Sequence, residues 1–159
     1  MEPWTVSPFR DITAHTGPQH QTLWPGTCCG APLSDGFVVM PPGHMAAAHL
    51  HAEHHISVKV IYGWVASLLW QDEGSVHVVQ HGPGDTIRIS PGVGHIGCNL
   101  SREDRVVLVE TRTDPFFNRD VVTLPHLDAH VHEFGRRLQH VWQRPHGPAS
   151  VLDLLPCAA

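Results

Sequence analysis

The sequence predicts an all-β fold, a sandwich or barrel of short strands with one C-terminal α-helix. Three observations carry this. Short apolar runs alternate with turn signals at roughly ten-residue spacing between residues 36 and 111. Fourteen glycines and fourteen prolines in 159 residues supply the turns between them. One late stretch, residues 125–144, changes to a helical period.

Taken in order, residues 1–35 form an extended N-terminal arm rich in Pro, Gly, Thr and His. Residues 36–124 form the barrel, with strands expected near 36–40, 47–51, 56–62, 64–70, 75–80, 85–89, 95–99 and 105–111. The breakers are "PPG", "YG", "QDEGS", "HGPGD", "SPGVG" and "SRED". In the helix, Leu127, Val131, Phe134, Leu138 and Val141 follow a 4-3-4-3 spacing that places them on one face. Pro125 suits its start and Pro145 its stop. That face is expected to pack on the outside of the barrel. Residues 145–159 are a tail, with Val151, Leu152, Leu154 and Leu155 as a docking point. The length suits one domain, and a chain of this size buries about two-thirds of its unfolded surface without disulfides.

Composition excludes several classes of partner. The net charge is −5 and no basic block is present, which argues against a nucleic-acid surface. No run approaches the ~18 apolar residues of a membrane span, and "MEPWTVSPFR" holds no apolar signal segment. Cys28, Cys29, Cys98 and Cys157 contain no C-x-x-C pair, so reduced thiols in a cytoplasmic protein are expected.

The histidines point to chemistry. His44, His49, His51, His54 and His55 crowd one short stretch. On a strand, residues two apart face the same way, so His49 and His51 form a pair of imidazole ligands. A third must come from elsewhere, and His95 stands just after a turn at the head of a later apolar strand. A single histidine on such a strand is more often a surface or satisfied core residue. The H-x-H pair with a second strand opening on His is a more specific signal. His54 and His55 are adjacent and face opposite ways, so at most one joins the pair. His77 and His81 flank the "HVVQH" strand and read as surface. So do His126, His130, His132, His140 and His146 in the helix region. Trp64 and Trp70 read as core, with stacking on a flat substrate as the alternative. Arg112, Asp114, Arg119 and Asp120 read as an ion-paired turn or a gate over a cavity mouth.

The same residues resemble the cupin family, whose motifs are G-x5-H-x-H-x(3,4)-E-x6-G and G-x5-P-x-G-x2-H-x3-N. Gly43, His49, His51 and Gly63 stand on the first motif. Gly84, Gly92, His95 and Asn99 stand on the second, with Ser90 in the proline slot. The resemblance covers residues 36–111 and implies a cupin-type double-stranded β-helix, or jelly-roll barrel. The motif's glutamate is missing: its slot falls on Ile56 or His55. Either His49, His51 and His95 form a three-histidine site, or a bulge turns His55 inward as a fourth ligand. Glu53 is a weaker candidate. A strand with Ile56, Val58 and Val60 on one face carries His55, Ser57 and Lys59 on the other, and that second set could line a polar cavity. His55 and Lys59 are then the candidate catalytic side chains.

The resemblance implies one divalent transition metal, Fe, Zn, Ni, Mn or Cu, with positions open to substrate. Neutral histidine ligands leave such a site positive, which favours an anionic oxygen such as an enolate or phenolate. The expected function is a metal-dependent enzyme acting on a small organic molecule, similar to cupins of secondary metabolism. The reaction is either oxygenation or Lewis-acid isomerisation or cyclisation. A non-catalytic ligand-binding or sensor module is the alternative. Cupins commonly pair through an N-terminal strand, so a homodimer is expected.

Overall fold

The computed structural model describes residues 15–16, 22–27, 34–71, 75–113, 119–146 and 150. Most of the expected arm and the whole 151–159 segment lie outside these, as do Cys28, Cys29 and Cys157. Two antiparallel sheets make the barrel. The first runs in the order β1 (His15–Thr16), β2 (Thr22–Thr27), β3 (Ser34–Met40), β10 (Val106–Arg112), β5 (Ile56–Tyr62), β8 (Thr86–Ile89). The second runs β11 (Val121–Thr123), β4 (His49–His51), β9 (Gly94–Asn99), β6 (Val65–Trp70), β7 (His77–His81). All eight expected strands form. Three are additions: β1, which pairs with β2, β2, which pairs with β3, and β11, which pairs with β4.

Period two decides which residues fill the interior. Val38 and Met40 from β3, Val60 from β5, Val65 from β6, and Val106 and Leu108 from β10 form one buried cluster between the sheets. The opposite parity of β6 serves a second cluster. Ala66, Leu68 and Trp70 join Ile96, Cys98 and Val131, the last from the helix.

The helix α1 spans Pro125–Val141, ending three residues before the expected 144 because Trp142 is extended. Its buried seam is shifted from the expected one. Val131 is buried and Leu127 and Leu138 pack on the second cluster, but Phe134 is 41% exposed and Val141 71%. Gly135 and Gln139 are buried instead. The reason is polar. Gln139 Nε2 donates to the carbonyls of Gly43 (2.9 Å) and Asn99 (2.7 Å). The Ala48 N–H donates to Asp128 (2.6 Å), and His132 bonds the Ala46 carbonyl at 2.9 Å. These contacts set the helix's rotation, and one residue of helix is about 100° of turn. His132 is therefore a half-buried anchor, not a solvated side chain. Among the described residues no helix is long and apolar enough to cross a membrane.

The motif residues outside the histidines are structural. Asn99 is fully buried; its amide donates to the Met40, Pro41 and Asp104 carbonyls, and its oxygen accepts from the Ser101 N–H. Gly43 and Gly63 sit at φ +68° and +83°, the left-handed region. A Cβ at Gly43 would meet nothing within 4 Å, while at Gly63 it would lie 2.7 Å from the Arg105 carbonyl oxygen. Gly43→Ala should therefore cost only backbone strain, about 1–2 kcal/mol. Gly63→Ala adds a clash with a backbone atom that cannot swing away, and should cost about 3 kcal/mol or more. Urea unfolding midpoints of the two variants measure this, and equal losses would contradict it.

Candidate metal centre

Strand β4 is only three residues long, yet it is fixed on both edges. His49 and His51 share a face, and His49 lies directly opposite His95 on β9, while β11 pairs along the other edge. Ring centroids of His49 and His95 are 4.3 Å apart, and each lies 5.6 Å from that of His51. One nitrogen from each ring falls within 4.8 Å of the others. All three side chains are buried.

Each ring is held by its Nδ1. His49 bonds the Ala47 carbonyl at 2.8 Å and His95 the Val93 carbonyl at 3.0 Å. His51 bonds the Asp120 carboxylate at 2.9 Å. Carbonyl and carboxylate oxygens only accept, so each neutral ring donates from Nδ1 and carries its lone pair on Nε2. The Nε2 of His51 is buried with no hydrogen-bond partner. A buried acceptor without a partner is costly. A transition ion receiving three such lone pairs removes that cost, and the outer anchors are of the kind that orient metal-bound imidazole. The donor set fits a metal.

Burial keeps the rings neutral. It lowers His49 and, aided by the Arg112 charge, His51, against the pull of Asp120. His95 is pushed down to about 3 by burial and the neighbouring His49 ring. The His51–Asp120 contact is thus a hydrogen bond from a neutral ring at pH 7, not an ion pair. Asp120 also accepts from the Glu53 and His54 N–H groups, both at 3.0 Å. Burial would raise its pKa, but these three bonds together draw it down to about 2.

His49 and His95 open on a cavity of about 80 Å³ between the sheets. One water needs roughly 10–15 Å³ on the same measure, so the cavity takes on the order of six heavy atoms. Its walls are mainly valine, isoleucine and leucine. Four polar side chains interrupt them: Glu110 and Arg112 on β10, paired at 2.7 Å, and Ser67 and His81, paired at 2.9 Å.

The structure thus brings together His49, His51 and His95, and does not bring in His55 or Lys59. Ile56, Val58 and Val60 line the cavity, so the opposite parity of β5 faces out. Lys59 and His55 are exposed, and the His55 N–H donates to Thr113 Oγ1. Glu53 is exposed too. Trp70 packs toward the helix and not into the cavity. His81 is buried, contrary to its surface reading, whereas His77 is exposed. Sequence reasoning missed Glu110 altogether and read Arg112 and Asp120 only as turn or gate. A signal was present for the first two. Continuing the buried parity of Val106 and Leu108 along "VVLVETR" puts Glu110 and Arg112 inside. Asp114 lies outside the described residues.

Acid stability follows from the buried rings. An unfolded histidine takes up a proton near pH 6.5, whereas His95 does so only at about 3. Between these values the unfolded chain binds more protons, so folding stability is full above pH 6.5 and declines as pH falls. The urea midpoint of chelator-treated protein should drop steadily from pH 7.5 to pH 5, and less steeply in His95→Gln. A flat profile over that window would show that the rings are not held neutral.

By sequence, no family model and no curated protein matches the chain. By fold, solved structures do. The Lactobacillus farciminis oxalate decarboxylase formate complex matches with TM-score 0.63 at 15% identity, covering 84% of this chain and 42% of that one. A Bacillus subtilis oxalate decarboxylase structure concerned with its Mn(II) centres matches with TM-score 0.58 at 18% identity, covering 80% and 36%. Drosophila melanogaster CENP-C bound to CAL1 matches with TM-score 0.56 at 18% identity, covering 66% and 82%. The chain spans less than half the length of the two decarboxylases. Two antiparallel sheets in a jelly roll, with three buried histidines gathered together, give the chain a cupin-type fold.

Proposed function

We propose that this chain is a metal-dependent cupin enzyme that rearranges a small organic molecule by Lewis-acid isomerisation or cyclisation. His49, His51 and His95 hold one divalent transition ion. The observation that carries the reading is the orphaned, buried Nε2 of His51 beside two more imidazoles whose Nδ1 atoms are already engaged. When bound, the ion supplies a Lewis acid that polarises a carbonyl and steadies the anionic oxygen that develops there.

The chain's own residues do the rest. Glu110 lines the same cavity as His49 and His95, where its carboxylate is placed to take a proton from substrate and return it. Arg112 holds Glu110 in place through the 2.7 Å bond. Apolar walls exclude water and strengthen each of these interactions. Oxygenation suits the same three histidines but has no need of an internal carboxylate, and Glu110 is what favours proton transfer. A non-catalytic binding module has no need of it either. CENP-C bound to CAL1 is a reminder that the fold alone does not decide function.

Metal analysis of purified protein is the first test. Wild type should carry close to one equivalent of a divalent transition ion, and His49→Ala should carry almost none after dialysis. Asp120→Ala should bind the ion about 10–100-fold more weakly in chelator competition, because His51 loses the group that orients it. Glu110→Gln should keep the ion, yet lose solvent deuterium uptake into small ketones such as 2-butanone followed by NMR. Full metal in His49→Ala would move the site elsewhere. Undiminished exchange in Glu110→Gln would remove Glu110 from the chemistry.

A further inference from the structure

A second polar station lies in the cavity, apart from the three histidines and from Glu110 and Arg112. Ser67 on β6 and His81 on β7 are 8% and 4% exposed, and both line the cavity. Ser67 Oγ and His81 Nε2 are 2.9 Å apart. Neither packs in the cluster that anchors the helix, and no part of the proposed chemistry uses them.

The sheet register gives their place. Leu69 stands opposite His95, and Ser67 opposite Gly97, in the β6–β9 ladder. Ser67 is therefore two residues along the strand from the rank of His95, about 7 Å at strand rise. Its cross-strand neighbour Gly97 contributes no side chain, and the Met40 thioether packs over that glycine. Around the pair the walls are apolar, with Val65, Ile87 and Ile96 among them. A buried polar pair in an otherwise apolar wall is costly unless it is fully hydrogen-bonded. One internal bond leaves capacity unused: a hydroxyl can donate once and accept twice.

We propose that Ser67 and His81 bind a second oxygen of the substrate, so that the substrate is a short-chain compound with two oxygen functions. One oxygen, anionic or carbonyl, sits at the histidine end and the other, a hydroxyl or carbonyl, meets this pair across an apolar body of a few carbons. The inference rests on the metal reading above. The pair suits either kind of oxygen. If Ser67 donates to His81, its lone pairs accept from a substrate hydroxyl. If His81 donates to Ser67, the hydroxyl proton is available to a carbonyl. Burial holds His81 below the ordinary imidazole range, against the charge of Asp85, which keeps the ring neutral and able to play either part.

The test uses full-length protein loaded with cobalt(II), whose visible absorption reports ligand binding, and paired probes of matched size. These are 3-hydroxypropanoate against butanoate and 4-hydroxybutanoate against pentanoate. In wild type at least one hydroxyl probe should bind about threefold to tenfold more tightly than its methyl partner, the ordinary worth of one hydrogen bond. Ser67→Ala and His81→Gln should each bring that ratio close to one while cobalt content stays at wild-type level. If Ser67→Ala fails to fold, His81→Gln carries the test alone. Full cobalt uptake with no hydroxyl preference in wild type, or a preference that survives both substitutions, overturns the inference alone. A wild-type protein that takes up no cobalt overturns the metal reading and this inference with it.

Discussion

Three neutral imidazoles converge in one buried place, and the rest of the structure is arranged to permit it. Rings left to themselves would turn their nitrogens to water. Here each is fixed from behind by an acceptor at its Nδ1, two of them carbonyls only two residues back in the chain. The third acceptor, Asp120, is supplied from 69 residues away. It ties the segment before β11 to β4 and to the turn that follows it, through the Glu53 and His54 N–H groups. Hence β4 can be three residues long and still present two side chains in register. Its strength lies in cross-strand partners and this carboxylate, not in its own length.

The same period of two that builds the core also builds the site. On β6, Val65 and Ser67 face the cavity, while Ala66, Leu68 and Trp70 face the helix. On β10 the inward parity runs Val106, Leu108, Glu110, Arg112 and so passes from apolar to polar along one strand. The interior is graded: the apolar layer gives the barrel its stability, and the polar layer sits by the histidines. A one-residue slip of either strand would exchange these roles, so register is specified by core and site together.

Much of this was legible in the sequence. The strand spacing predicted eight strands that form, and the H-x-H pair with His95 is a local pattern that needs only strand parity to be read. What escaped depended on which of two parities faces inward. His55 and Lys59 were candidates for a polar cavity lining, yet Ile56, Val58 and Val60 occupy it, because β5 is a central strand whose apolar side must face the opposing sheet. The same kind of error put His81 at the surface. The helix seam was displaced from Phe134 to Gly135 and Gln139 by long-range hydrogen bonds to Gly43 and Asn99. No periodicity encodes such contacts. Asp120 was equally hidden, since its partners, His51 and the Glu53 and His54 N–H groups, lie 66 to 69 residues away and only the fold brings it to them.

Charge completes the argument about what the centre is built to receive. The three rings are neutral, held so by burial. Glu110 and Arg112 offset one another at 2.7 Å. Asp120, kept ionised down to about pH 2, puts a negative charge behind His51. Such a charge favours a cation at the Nε2 face of the rings. A divalent ion exceeds it by one unit. The surplus would be met by one anionic oxygen entering from the cavity, the kind of ligand an enolate or carboxylate provides. A monovalent cation would be neutralised by Asp120 alone and would give such an oxygen little reason to bind. On the proposed reading, a doubly charged ion at the three rings would therefore suit a singly charged ligand in the cavity that Glu110 also lines.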